Sequence, residues 1–479
     1  MKAGENSRYE VCIGLEVHVQ LRTRSKMFCG CSTDHDAPPN TNVCPVCLGY
    51  PGSLPVINSE AIKLTVLSGL MLGSRINMRS KFDRKSYFYP DMPKNYQISQ
   101  YDMPFCDGGS VAIGSDGDRR ISIKRIHLEE DVAKSVHSGG YSGVDFNRAG
   151  IPLMEIVSEP DIDSPDTAFA YLQSLKEILM YGEVSDCNLE QGNIRCDVNC
   201  SIRPFGTKTL GVKTEIKNLN TFRGVHDSLV YEVGRQIETL DGGGTINQET
   251  RRWDADAGMT FLMRSKEYAH DYRYFPDPDL PPVCLAQTDV DQWAEEVPEL
   301  PRQRRKRIIA DYGLPEYDAG VLVADRAMAD FFERAALLCD NSKAVSNWVM
   351  TEMSRMLSES GKDIQELPLE PGGLAELVKL VDNKAVSFTG AKKVFEEMFN
   401  RGGSPADLVE SLGVGQVSDE TEIEKFVDQA MEENPKSVQD YRAGKKQAAK
   451  FLVGQVMRLS RGKANPRLVN KLIETKMRH

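Results

Sequence analysis

The chain has 479 residues, 40% of them hydrophobic and 27% charged, a balance that builds packed cores and excludes wholesale disorder. That length exceeds what one hydrophobic core usually supports and predicts two or three domains. The formal net charge of −11 excludes a surface coated in basic nucleic-acid contacts, but eleven Lys or Arg against one acid, Glu474, fall between Tyr441 and His479. Any nucleic-acid contact is expected there.

Met1 to Tyr9 lacks the apolar stretch of a secretory leader, and no later segment approaches the roughly 18 apolar residues of a spanning helix. The expectation is a chain neither secreted nor membrane-embedded, working in the cytoplasm or an organelle matrix. Eleven cysteines are too sparse for a disulfide scaffold and predict reduced thiols with one metal site.

Residues 9 to about 290 read as strand-rich, with Asp241-Gly242-Gly243-Gly244 among the turns that separate short alternating runs. In the first run Val11, Ile13, Leu15, Val17, Val19 and Leu21 share one parity. Glu16, His18 and Gln20 share the other, so Glu16 and His18 project side by side. A second run sets Ile194, Cys196, Val198, Cys200 and Ile202 against Arg195, Asp197, Asn199, Ser201 and Arg203, and Lys213, Glu215 and Lys217 alternate likewise. Dense polar faces predict a largely antiparallel sheet whose second face meets either a ligand or solvent.

The texture changes at Glu299-Leu300-Pro301 to helical periodicity. Met328, Phe331, Phe332, Ala335 and Ala336 form a core stripe. Asn400 to Ser404 reads as a linker. Beyond it Ile423, Phe426, Val427, Ala430 and Met431 mark a helix, and Asn465-Pro466 starts another over Leu468, Val469, Leu472 and Ile473. The fold class is therefore α+β: an antiparallel-sheet domain over 1–292, a helical domain over 293–400 and a small all-α domain over 406–479.

Cys29, Cys31, Cys44 and Cys47 are spaced CxC-x12-CxxC, two pairs whose thiolates can enclose one tetrahedral Zn²⁺ and leave no open position. Such a site is structural; the competing reading is free thiols or a redox CxxC. Acids able to hold a catalytic cation occur at Glu16 beside His18, at Glu129-Glu130-Asp131, and at Glu155 inside the apolar run Leu153 to Val157. A carboxylate in an apolar strand needs a cation, either Mg²⁺ bridging nucleotide phosphates or a salt-bridge partner. Parity separates Arg125, His127 and Glu129 from Ile126, Leu128 and Glu130 without deciding which set faces the site. Lys81 to Asp91 interleaves bases with aromatics, as Tyr272 to Asp277 does, which suits phosphate charge and base stacking or merely a hydrophobic anchor. There is no GxxxxGK[ST] loop, no GxGxxG after a strand, no Ser-Ser-Lys amidase signature and no nucleophile elbow, so amide hydrolysis through an acyl-enzyme is not expected.

The segments Ile13 to Gln20, KFDRKSYFYPDMPKNYQISQ at 81–100, HLEED at 127–131 and GIPLMEIVSEPDI at 150–162 together resemble the B subunit family of the glutamyl/aspartyl-tRNA amidotransferase. So do IRCDVN at 194–199, KNLNTF at 217–222, QETRRWD at 248–254 and DYRYFPDPDLPP at 271–282. The resemblance implies a ligase: ATP-dependent phosphorylation of the side-chain carboxylate of mischarged Glu-tRNA(Gln) or Asp-tRNA(Asn), then amidation. It implies a cradle-shaped catalytic domain with Mg²⁺ held at Glu16, His18, Glu130 and Glu155, and with Lys85 and Tyr87 positioning the phosphate and the acceptor end. It also implies ammonia from a glutaminase A subunit, a small C subunit completing a heterotrimer, and tRNA contacts by the last domain, where Lys445, Lys446, Lys450, Arg458, Arg461 and Lys463 are the candidates. The alternative is a non-catalytic tRNA-binding or assembly subunit of the same complex.

Overall fold

Strand β1 (Tyr9–Gln20) runs through the middle of the largest sheet. Its alternation is carried into space: Ile13, Leu15, Val17 and Val19 are fully buried, whereas Glu16 and His18 are only partly covered. The computed structural model describes residues 8–114, 119–189, 191–265, 272–416, 420–442, 447–460 and 463–478. The chain divides into two compact units, Met1–Leu300 and Pro301–His479.

The first unit continues through α1 (Ser59–Met71), β2 (Asp83–Ser86), β3 (Tyr96–Ser99), β4 (Arg119–Glu130), β5 (Pro152–Ser158), α2 (Pro165–Tyr181) and β6 (Ile194–Pro204). β7 (Thr214–Lys217), α3 (Phe222–Asp241), β8 (Glu249–Asp254), β9 (Met259–Ser265), β10 (Phe275–Pro276) and α4 (Gln287–Glu295) complete it. The large sheet has the order β9-β8-β7-β6-β1-β5-β4, extended by short strands at Cys106–Asp107 and Arg75–Ile76. Along β9 to β4, only β7 and β8 pair in parallel. A separate small sheet has the order β10-β2-β3.

Register decides which residues share a face, because side chains of directly paired residues project together. His18 lies opposite Glu155 on β5 and Arg195 on β6, and Glu155 lies opposite His127 on β4. The other face is apolar and is covered by helices: Leu67 of α1, Leu172, Leu175 and Leu179 of α2, and Leu229 of α3 share one core with Leu15, Ile126, Ile156 and Val198. Each such side chain, fully buried, contributes about 1.5–3 kcal/mol.

The strand-rich reading of this region holds but leaves out helices of 13, 17 and 20 residues. Their starts are chemically marked. Ser164 Oγ accepts from Thr167 N at 3.2 Å with Pro165 in the first turn, and Thr221 Oγ1 accepts from Gly224 N at 2.8 Å. Asp241 to Gly244 is the end of α3, not a hairpin; Gly243, at φ 77°, turns the chain out of the helix.

The second unit contains two cores. One gathers helices from Pro301–Tyr312 to Pro405–Ser411 around Phe331, Phe332, Trp348, Phe395 and Phe399. The other joins Glu420–Glu433, Gln447–Leu459 and Pro466–Arg478 through Ile423, Val427, Leu452, Val456, Val469 and Ile473. Asn465 Oδ1 accepts from Arg467 N at 3.0 Å, the cap expected there.

Trp293, Val297 and Leu300 pack on the core of the first unit. Leu408 and Val409, beyond the supposed 400–404 linker, pack on the first core of the second. The glycines at 402 and 403 end a helix, but the apolar residues after them return to the same core. Among the described residues no helix is long and apolar enough to cross a membrane.

Candidate active site and metal centre

Three strands bring acids and imidazoles together on the polar face. His18 Nε2 lies 3.3 Å from Glu155 Oε2 and 4.0 Å from Glu129 Oε1, and His127 Nε2 lies 3.3 Å from Glu155 Oε2. Glu129 and Glu155 are buried, so their charges need a cation in contact. Burial pulls the His18 imidazole down, but its hydrogen bond to Glu155 and the charges of Glu155, Glu129 and Asp197 outweigh it and raise it to about 9. Burial works against the Glu155 carboxylate too, yet His127 and His18 hold it well below the usual range.

The same ligand atoms of His18, Glu129 and Glu155 lie within 4.8 Å of one another and can hold a metal ion. Two carboxylate oxygens suit a hard divalent cation such as Mg²⁺. Around them Arg125 Nε, His127 Nδ1, Arg195 Nε and Gln20 Oε1 are buried without a hydrogen-bond partner. Their residues lie on the same sheet face, which leaves polar atoms there open to water, an ion or a polar ligand.

The small sheet supplies the rest of the site. Lys85 on β2 has its Nζ 5.0 Å from the ring centre of Tyr272 and 5.8 Å from that of Tyr87. Burial opposes its charge, but Glu129, Tyr274 and Glu155 raise its pKa above the ordinary lysine value. Tyr272 and Tyr274 are edge to face at 6.1 Å, and Tyr274 stacks on Tyr101 at 4.3 Å. Tyr87 approaches Tyr272 at 6.1 Å, and burial with Glu129 pushes its phenol well above the usual range. A cation flanked by aromatic faces and felt by an acidic cluster suits a phosphate joined to a planar group.

Glu130 departs from the expected ligand set. It occupies the parity of Ile126 and Leu128 and points away from the polar face, where Lys94 Nζ donates to both carboxylate oxygens and Ile98 N donates at 2.9 Å. Glu129, its neighbour, takes the place beside His18 and Glu155 and accepts from Ser99 Oγ at 3.1 Å. Glu16 is on the polar face but stands one position along from the cluster, accepting from Asn199 Nδ2 at 2.9 Å. Sequence reasoning also missed His127, although it shares the parity of Glu129. It missed the brace at Asp131, which accepts from Gln20 Nε2 and Arg195 Nη2, both at 2.7 Å.

Cys29, Cys31, Cys44 and Cys47 converge in the segment between β1 and α1, their sulfurs within 4.8 Å of one another. Cys44 and Cys47 Sγ are 3.9 Å apart, against about 3.8 Å for the edge of a tetrahedron with 2.3 Å metal–sulfur bonds. Cys44 N donates to Cys47 Sγ at 3.1 Å. The donor set can hold a metal, and all eleven cysteines are free thiols.

Of the basic candidates near the C-terminus, Lys445, Lys446 and Arg461 lie outside the described residues. Lys450 and Arg458 are exposed and Lys463 is half-buried. Lys450 and Arg458 form no ion pair among the described residues, whereas Lys476 is held by Glu424 at 2.8 Å and Asp428 at 2.5 Å.

Fold and site define an α+β domain with an acidic centre that can hold a metal ion, followed by helical modules. The chain belongs to the GatB/GatE family: residues 11–291 match the GatB/GatE catalytic domain and residues 330–477 the GatB domain. It is 52% identical over 476 residues to the B subunit of the aspartyl/glutamyl-tRNA(Asn/Gln) amidotransferase from Thermoanaerobacter sp. (strain X514), covering 98% of this chain and 99% of that one. The protein of the same name from Caldanaerobacter subterraneus subsp. tengcongensis is 53% identical over the same shares of the two chains. That from Thermodesulfovibrio yellowstonii is 52% identical, covering 97% of this chain and 98% of its own.

Proposed function

We propose that this chain is the B subunit of a tRNA-dependent amidotransferase and carries its kinase and amidation site. The substrate is the side-chain carboxylate of Glu-tRNA(Gln), Asp-tRNA(Asn) or both. A carboxylate oxygen attacks the γ-phosphorus of ATP, ADP leaves, and ammonia displaces phosphate from the acyl phosphate to give the amide. The observation that carries this reading is the convergence of Glu129, Glu155 and His18 beside Lys85 and the tyrosine cluster, on a sheet face rich in unpaired polar atoms.

Bound Mg²⁺ at Glu129, Glu155 and His18 supplies charge neutralisation for phosphoryl transfer. The chain's own groups do the remainder. Lys85 offers a cation to the transferred phosphate, Tyr87, Tyr272 and Tyr274 provide faces for the terminal adenosine of the tRNA, and His127 orients Glu155. The Asp131–Arg195–Gln20 brace holds the ends of β1 and β6 in place. Enclosure by the small sheet keeps water from an acyl phosphate that would otherwise hydrolyse.

A glutaminase A subunit supplies ammonia, and a small C subunit completes the heterotrimer. Zn²⁺ at the four cysteines is structural, and the protein works in the cytoplasm, a setting that suits its eleven free cysteines. The test is transfer of label from γ-labelled ATP to mischarged tRNA by the reconstituted complex. Label on the aminoacyl group that depends on Glu129 supports the reading; transfer that survives loss of Glu129 and Glu155 assigns this chain to binding alone.

In the same reading the last helical module touches the tRNA backbone. Converting Lys450 and Arg458 to Gln is expected to weaken tRNA binding at low salt and flatten its salt dependence by about 1–2 in log–log slope, since each lost phosphate contact releases fewer counterions. An unchanged slope in a filter-binding titration removes these two residues from the interface.

A further inference from the structure

Lys26 is wholly buried, with no side-chain exposure at all. Among the described residues no carboxylate lies within ion-pair distance of it. Its Nζ donates to the Phe146 carbonyl at 3.1 Å and to Cys47 Sγ at 3.7 Å. A buried ammonium without an anion costs several kcal/mol, and a backbone carbonyl brings only a dipole. The ionisable group in contact is the Cys47 sulfur.

We propose that Lys26 is the resident counter-cation of the four-cysteine centre, its buried ammonium offsetting the thiolate charge around a divalent metal and donating a hydrogen bond to Cys47. The inference rests on the zinc reading above. Four thiolates around a divalent ion carry excess negative charge, which an enclosed site cannot leave to solvent. Both ends of Lys26 serve the centre, because its backbone N donates to the Cys31 carbonyl at 3.0 Å and closes the first cysteine turn. Packing fixes the contact: a Cβ added to Gly150 would lie 3.5 Å from both Cys47 Cβ and Lys26 Cδ. Lys26 is thus a positioning residue for the metal, in the layer that tunes the ligands rather than among them.

The test uses the full chain as wild type, Lys26→Met and Lys26→Gln, with zinc competed against a chromophoric chelator and thermal unfolding followed with and without zinc. Lys26→Met is expected to weaken zinc binding by about 10–100-fold, and Lys26→Gln, which keeps a donor, by less. Lys26→Met should lower the melting temperature of the zinc-loaded protein more than that of the metal-free one, since four thiolates around a metal carry the most charge for Lys26 to offset. Equal zinc affinity, or an equal loss of melting temperature in both forms, overturns the proposal in favour of simple packing. Should Lys26→Met fail to fold, Lys26→Gln is read in a Cys47→Ser background. A zinc effect that vanishes there supports the coupling to Cys47, and one that persists undiminished overturns it. A wild-type chain that binds no zinc sinks the zinc reading together with this one, whereas tight zinc binding unaffected by Lys26 sinks this one alone.

Discussion

Glu129→Gln and Glu155→Gln are each expected to lower ATP-dependent amidation by roughly 10²–10³-fold, the scale of removing a charge that stabilises the transition state, while Glu130→Gln is expected to leave turnover per folded molecule within a few-fold of wild type. The difference follows from which way adjacent side chains on β4 point. Glu129 faces His18 and Glu155, where a neutral amide cannot help hold a cation. Glu130 holds Lys94, whose ammonium is also set over the rings of Phe28 at 5.7 Å and Tyr96 at 5.5 Å. Removing one partner of a buried pair strands the other charge and costs about 3–5 kcal/mol. Glu130→Gln therefore reads out as a fall in melting temperature, not as lost chemistry. Turnover corrected for folded fraction, alongside thermal melts, separates the two. A well-folded, inactive Glu130→Gln beside an active Glu129→Gln would falsify the placement of the site.

The alternation in β1 and β6 was legible because each strand has one face in a core and one in polar company, and the period of two survives along their full length. The same rule contained the answer on β4. Ile126 and Leu128 belong with the buried set, so Glu130 falls on the core side and Arg125, His127 and Glu129 on the side of His18. The resemblance pointed one residue further on. What hid the choice is that both glutamates are about 3% exposed: at the end of β4 the chain is covered on both faces, on one by Lys94 and on the other by His127 and Ser99. No local pattern announces Lys94, 36 residues earlier in sequence. The helices α2 and α3 were missed although Ser164-Pro165 and Thr221 mark their starts, because the polar strands on either side dominated the texture. The four cysteines were readable from spacing alone, since two close pairs around a long loop leave few other arrangements.

Stripping the metal from the four-cysteine centre, by chelation or by Cys29→Ser or Cys44→Ser, is expected to open the segment between Lys26 and Asn58 to protease at least tenfold faster. Little else holds that segment. Met27, Phe28 and Cys47 are buried, but Tyr50, Leu54 and Val56 are 58%, 65% and 73% exposed, so the segment lacks an apolar core of its own. Its remaining ties are hydrogen bonds such as Asn42 N to Asn147 Oδ1 at 2.8 Å and Met27 N to Gly150 O at 2.7 Å. Structural zinc contributes on the order of 10 kcal/mol to the fold it closes, far more than these bonds at about 1 kcal/mol each. Amidation should fall as well, although no cysteine belongs to the acidic cluster. A Cβ on Gly49 would come within 2.6 Å of Lys94 Cγ, so the cysteine segment presses directly on the lysine that fixes Glu130, and Glu130 is one peptide from Glu129. Loosening the segment withdraws Lys94 from the end of β4, which Glu130→Gln does not do because its amide oxygen still accepts from Ile98 N; the end of β4 then shifts and misplaces the carboxylate that faces His18. Limited proteolysis with mass mapping, paired with turnover before and after zinc is restored, checks both steps. Loss of turnover without new cleavage between 26 and 58, or new cleavage with full turnover, breaks the chain of contacts from the metal centre to the acids.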